Sequence, residues 1–246
     1  MNIVVVTQAR YNSTRLLGKV LKEINNESLL EIHLKNAKRA KLPTNYIVAT
    51  TTESESKFIN EIAVQEGWNV YNGSIDNVLD RFYQAVVDLN PDIIVRITSD
   101  CPFTQGQIID EAIEKVMNAG FDYVSTSLDY PDGVDVEAFI FKQLKSAWEN
   151  ATLTSDKEHV TPFIRKNCSN KFEIRPEESE FAQIRLTVDE QADFDCVETL
   201  IQQLGTNKTW QTYCNYILEH PNEFQNQNII RNEGYVKSLK DDTNEL

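Results

Sequence analysis

Apolar residues recur along the first half of the chain with two alternating periods. The run Ile3-Val4-Val5-Val6 is β-branched and continuous, the pattern of a strand buried on both faces, expected over residues 2–7. Residues 28–40 then carry Leu29, Leu30, Ile32, Leu34 and Ala37 at helical spacing. A second β run at 46–50 precedes an expected helix at about 54–67, whose Phe58, Ile59, Ile62 and Ala63 share a face. The spacing further predicts a short strand at 68–71, a helix at 76–89, a buried strand at 92–98, a helix at 107–119 and a strand at 121–126. Repeated βα units with nearly continuous apolar strands predict an α/β fold, a mainly parallel central sheet with helices on both faces.

The second half is less regular. Residues 134–141 read as extended, 143–150 and 157–166 as helical, 172–174 and 184–188 as extended, and 194–204 and 210–219 as helical. No repeat and no low-complexity linker divides the chain, so residues 1–220 are expected to form a single domain. Residues 221–246 read as a C-terminal tail rich in Asn, Gln and Glu, with fraying expected over 240–246.

With 246 residues, 41% apolar and 25% charged, the composition is that of an ordinary soluble chain. Lys and Arg number 24 against 38 Asp and Glu, a net charge of −14, which argues against a general binder of nucleic acid or anionic membrane. No apolar run approaches the ~18 residues of a membrane span. The opening has no basic n-region, and its short apolar run does not suit a signal peptide. Cys101, Cys168, Cys196 and Cys214 are widely spaced, with no CxxC pair and no His at zinc spacing. Reduced thiols and a cytoplasmic location are the expectation.

The charge distribution is uneven. Residues 1–22 contain Arg10, Arg15, Lys19 and Lys22 and no acid. Positive charge just past a first parallel strand lies where open α/β sheets bind ligands, and with Ser and Thr hydroxyls and loop N–H groups it suits a polyphosphate. A solvated basic loop is the plainer reading. Two phosphate loops are excluded. A Walker A loop needs Gly where Ser13 stands and Ser or Thr where Val20 stands, and no GxGxxG occurs among the eight glycines.

The stretch QARYNSTRLLGKVL at 8–21 resembles the opening signature of the cytidylyltransferases that activate sugars, Q/P-A-R-x-x-S-T/S-R-L-x-G-K. Six further blocks fit in order: GSIDNVLDRF at 73–82, VRITSDCP at 95–102, YPDGVDVE at 130–137, EHVTP at 158–162, RLTVD at 185–189 and NIIRNEGY at 228–235. Within that family the chain resembles the branch called spore coat polysaccharide biosynthesis protein F rather than the sialic acid or Kdo branches. Leu17 departs from the usual Pro without removing a functional group.

The resemblance implies a Rossmann-like nucleotidyltransferase fold related to glycosyltransferase A, with CTP, Mg²⁺, a small sugar-like acceptor and a homodimer. It implies that Asp100 and Asp189 hold the metal, that Arg15, Lys19 and Asp100 act in catalysis, and that Gln8, Ala9, Arg10, Ser13, Arg15, Lys19, Gly73 and Ser74 bind the nucleotide. Magnesium takes one or two carboxylates plus phosphate oxygens, so the chemistry agrees. The residues alone equally allow Asp100 to cap the turn before Pro102 and Asp189 to cap the next helix. Glu190 and Asp193 read as first-turn helix acids.

Asp135, Glu137 and His159 are the acceptor-side candidates. Spacing of i, i+2 on an extended segment turns both carboxylates to one face, where they suit sugar hydroxyls, although an exposed polar strand face has the same pattern. His159 titrates near neutral pH and suits a general base, or a helix surface beside Glu158. Asp80, Arg81, Arg231 and Tyr235 fit either a site or a structural role. His33 and His220 read as ordinary helix residues, and Cys101 has no His placed to make it a nucleophile. The rival readings are a sugar-1-phosphate nucleotidyltransferase using UTP, GTP or dTTP, and a catalytically silent nucleotide-sugar binding module. A glycosyltransferase is disfavoured because the DxD at 193–195 comes late in the chain.

Overall fold

The computed structural model describes residues 1–244. Its first element, strand β1 (Ile3–Gln8), pairs in parallel with β4 (Asn45–Thr51) on one side and with β6 (Ile93–Thr98) on the other. β4 also pairs in parallel with β5 (Asn69–Gly73). Beyond β6 the sheet changes sense. β8 (Glu137–Ile140) is antiparallel to β6 and to β7 (Tyr123–Thr126), and β7 carries β9 (Lys171–Ile174) in parallel at the edge. The resulting order is β5-β4-β1-β6-β8-β7-β9, a mainly parallel α/β sheet as the sequence pattern predicts. A small hairpin, β2 (Glu23–Ile24) with β3 (Glu27–Ser28), lies apart.

Both faces of the sheet are buried, which explains why its strands read as continuous apolar runs. On one face Ile3, Val5, Val95 and Ile97 join the larger core, with helices α1 (Leu29–Ala37), α2 (Ser56–Gln65), α4 (Gly106–Ala119), α8 (Gln191–Leu204) and α9 (Trp210–Glu219). On the other, Val4, Val6 and Ile94 meet α3 (Val78–Val86), α5 (Phe141–Asn150) and α7 (Pro162–Asn167). Local chemistry sets the helix starts. Ser28 and Glu31 form a reciprocal capping box on α1, and the Asn77 side chain accepts from the Asp80 N–H at the start of α3.

Two expectations change. The helix expected over 157–166 is two, α6 (Thr154–His159) and α7, because Val160 takes a left-handed φ of 71° and Pro162 starts a new helix at N1. Residues 184–188, expected as a strand, make one isolated bridge from Arg185 to Asp132. The C-terminal segment carries a helix, α10 (Glu233–Asn244), packed against α6. Of the residues expected to fray, 240–244 belong to α10, while 245 and 246 lie outside the described residues.

Candidate active site

From β1 the chain crosses to β4 and β5 on one side, then returns to β6 on the other. The carboxyl ends of β1 and β6 therefore flank a topological switch point, the place where such sheets hold ligands. The Ser99 hydroxyl donates to the Gln8 carbonyl at 2.7 Å and ties the two strand ends together.

The basic loop after β1 folds back on itself. The Ser13 and Gly18 N–H groups both donate to the Tyr11 carbonyl, at 2.9 and 3.0 Å. Gly18 sits at φ 65°, and a Cβ there would lie 3.0 Å from the Tyr11 ring, so the turn asks for glycine on both counts. A short 3-10 turn, Lys19–Leu21, follows, pinned by buried Val20. It aims Lys19 at three oxygens: Asp100 Oδ2 at 3.0 Å, Asp189 Oδ1 at 2.9 Å and the Val188 carbonyl at 2.8 Å. Arg15 reaches the same Asp189 oxygen at 2.7 Å and Glu233 at 3.4 Å. Residues 81 to 170 positions away thus converge on one ammonium.

Electrostatics keep Asp100 and Lys19 ionised. Burial pushes the Asp100 carboxyl up, but Lys19 beside it more than reverses that and holds it well below the usual range. Burial opposes the charge on Lys19, and Asp100 and Asp189 outweigh it, so its pKa is raised. Behind Asp189 stands Arg185, which donates to Asp189 Oδ2 at 3.0 Å, Asp132 at 2.5 Å and Asp193 at 2.8 Å. The helix cap falls to Glu190 in a capping box with Asp193, so Asp189 is not the cap and its carboxylate is turned to the cations.

His33 is the residue whose role the sequence hides. It is fully buried and more than the ordinary helix residue the sequence suggests. Nδ1 faces the Cys101 carbonyl at 2.9 Å and Nε2 faces the Thr7 hydroxyl at 2.9 Å. A carbonyl only accepts, so Nδ1 carries the proton and Thr7 donates to Nε2. Burial lowers its pKa to about 4, so the ring stays neutral and ties α1 and β1 to the turn that presents Asp100. Apolar neighbours at helical spacing gave no signal of this, since a partner 68 residues away decides it. Cys101 itself is buried with its thiol pushed well up, which removes it as a nucleophile.

A second group surrounds the turn before α3. Gly73 lies against Arg81, where a Cβ would come 2.6 Å from the Tyr71 ring and 3.0 Å from Arg81 Cγ. Buried Arg81 donates to the Ser74 carbonyl at 2.6 Å, and burial together with Arg10 lowers its pKa to about 10. Arg81 Nε and Gln8 Oε1 are buried with no partner among the described residues. Arg10 is exposed at the end of β1, and Ala9 is buried there, its N–H donating to the Ala49 carbonyl at 3.3 Å.

The acceptor-side candidates do not stay together. Asp135 accepts from Arg231 at 2.7 Å and from the Gly133 N–H, in the cluster of Asp132 and Arg185. Glu137, expected beside it, is buried 4% exposed among Arg96, Arg165, Thr161 and Tyr123, with both oxygens taken. Burial raises its pKa and the two guanidiniums bring it down to about 2. The i, i+2 argument fails because β8 begins only at Glu137, so the segment before it need not alternate. His159 turns to α10, with Nε2 3.0 Å from Ser238 Oγ and its ring edge-on to Tyr235. Burial, with Arg96 and Arg165 nearby, lowers its pKa.

Among the described residues no cluster of three His, Cys, Asp or Glu side chains could hold a metal. Asp100 and Asp189 nevertheless converge on a shared cation, the Lys19 ammonium, and two carboxylates are the protein share that Mg²⁺ takes beside phosphate oxygens. No helix among the described residues is long and apolar enough to cross a membrane.

Comparison with known proteins agrees with this geometry. The family model described as Cytidylyltransferase matches residues 4–232. An uncharacterized protein of Methanocaldococcus jannaschii is 41% identical over 198 residues, 79% of this chain and 81% of its own. Spore coat polysaccharide biosynthesis protein SpsF of Bacillus subtilis is 30% identical over 212 residues, 83% of this chain and 88% of its own. The solved structure of a cytidylyltransferase from Leptospira borgpetersenii superposes with a TM-score of 0.86 at 28% identity, covering 94% of this chain and all of that one. A match over nearly the whole length, on a sheet whose switch point gathers two carboxylates and a lysine, means that the chain is a nucleotidyltransferase and belongs to the cytidylyltransferase family.

Proposed function

We propose that this chain transfers CMP from CTP to a sugar-like acceptor with release of pyrophosphate, in the making of a surface polysaccharide, and that the reaction needs Mg²⁺. The convergence of Lys19 on Asp100 and Asp189 at the switch point carries the reading. In-line attack at the α-phosphorus asks for cations around three phosphates and carboxylates that can share a divalent ion. Lys19 and Arg15 now rest on carboxylates, and with nucleotide bound they exchange these for phosphate oxygens of the leaving group. Asp100 and Asp189, so released, are the residues that would hold Mg²⁺. When bound, the ion neutralises phosphate charge and polarises the α-phosphoryl group. Arg185 and the Asp193 cap keep Asp189 turned toward that place, and neutral His33 keeps the Asp100 turn in register.

The base is read as lying toward Gly73, Ser74 and Arg81, where the Arg81 and Gln8 side chains still have hydrogen-bonding capacity. Asp135, held by Arg231, is the acceptor-side carboxylate that remains half-open. Thermal stability with CTP, UTP, GTP, ATP and dTTP, each with and without Mg²⁺, tests this. A ligand at 100 times its Kd stabilises by about 2.7 kcal/mol, about 5–10 °C in a chain of this size. A shift with CTP that grows with Mg²⁺ is expected. A shift confined to another nucleotide would overturn the base assignment, and none at all would overturn the reaction.

A further inference from the structure

An open cleft of about 320 Å³ lies between the turn ahead of α3 and helix α6, and Arg10 also lines it. Its walls are Ile75, Asp76 and Val78 on one side and Thr154, Lys157 and Glu158 on the other. The last three sit at i, i+3, i+4 of α6 and so share one face. The opposite face of α6 belongs to α10, through the Ser155 N–H on Asp242 and His159 on Ser238. Helix α6 therefore stands as a wall held from behind.

Arg10 and Lys157 have no ion-pair partner among the described residues, whereas Arg15, Lys19, Arg96, Arg165, Arg185 and Arg231 all rest on carboxylates. Of the two acids in the wall, Glu158 is engaged by Ser238 and lies 3.8 Å from His159, which leaves Asp76 as the one acid in the lining set against two cations. Ile75, 41% exposed, and Val78 supply an apolar shelf beside them. In a chain of charge −14, two cations without a close ion pair, in a cleft that reaches the residue after β1, are a place for an anion.

We propose that Lys157 and Arg10 form an anion subsite that grips a phosphate group across this cleft, with α6 as the third wall of the nucleotide site. The inference rests on the cytidylyltransferase reading for the source of the phosphate, since a planar base fits the Ile75 shelf and its phosphates then pass between the two cations. A sugar phosphate offers the same chemistry from the acceptor side.

The test measures dissociation constants for CTP, cytidine, pyrophosphate, glucose 1-phosphate and glucose on the full chain and on Lys157→Met and Lys157→Arg, with Mg²⁺ present. Lys157 is half-buried and forms no part of the core, and the cytidine constant reports whether the fold survives. Loss of one charge-assisted contact is expected to weaken CTP and pyrophosphate about tenfold, leave cytidine unchanged, and be largely restored by Lys157→Arg. If instead only glucose 1-phosphate weakens, glucose being unaffected, the subsite stands and its anion comes from the acceptor. Unchanged constants for all three anions would overturn the subsite. A wild-type chain that binds pyrophosphate through Lys157 but does not bind CTP would keep the subsite and defeat the cytidylyltransferase reading.

Discussion

At the scale of single residues, the site depends on a histidine that touches none of the proposed ligands. His33 is buried and its pKa lies near 4, against about 6.5 in an unfolded chain. The unfolded state thus takes up a proton first as the pH falls. The stability His33 contributes is complete above pH 6.5 and is lost as the pH drops to and through 4, about 3 kcal/mol in all. His33→Asn, whose amide can still donate to the Cys101 carbonyl, is expected to lose less stability than the wild type between pH 7 and 4, measured by urea unfolding at each pH. Parallel curves would place the acid sensitivity elsewhere. The basic loop was legible in the sequence because its charge and spacing are local, and the structure brings Lys19, Asp100 and Asp189 together as the motif order implies. Nothing local marks His33, whose partners Thr7 and Cys101 lie in other segments, or Lys157, which faces other segments only across a cleft.

At the scale of elements, α6 and α10 behave as one unit. Asp242 Oδ1 accepts from the Ser155 N–H at 3.0 Å, and the same carboxylate lies near buried Asp156, whose pKa is raised first by burial and then by Asp242. Asp242→Ala removes the acceptor and leaves a buried N–H unpaired, so the Ser155 amide should exchange at least tenfold faster. Asp242→Asn keeps the acceptor and removes the like charge, so its exchange should stay slow. Equal exchange in all three chains would mean that α10 does not hold α6. Strands β1, β4, β6 and β7 and most helices were legible because each is a continuous apolar run or a clear helical face. The break at Val160 was not, since it rests on a left-handed backbone turn ahead of Pro162 in a polar stretch. The helix in the tail was not legible because it is polar, held by Ser238 and Asp242 rather than by an apolar stripe.

At the scale of the molecule, the βα alternation was enough to read a mainly parallel sheet, but the reversal at β8 was hidden because short strands in the second half carry no sign of direction. That reversal matters, since it carries the chain on to residues 184–189 and sets Val188 and Asp189 against the turn after β6. The Val188 N–H donates to the Asp100 carbonyl at 2.8 Å, and Lys19 then bridges the first, middle and last thirds of the chain. Lys19→Met would leave Asp100 and Asp189 facing each other with the Lys19 charge gone. Breaking such a partly buried pair costs about 1–3 kcal/mol, so the melting temperature should fall by roughly 2–10 °C without nucleotide. Two carboxylates freed of their ammonium then attract a divalent ion. Millimolar Mg²⁺ alone should therefore recover much of the loss in Lys19→Met while leaving the wild type nearly unmoved, because there the ammonium already holds the place between the acids. Equal shifts in both chains would show that the ion binds elsewhere, and no shift in the variant would show that Asp100 and Asp189 do not form a cation site together.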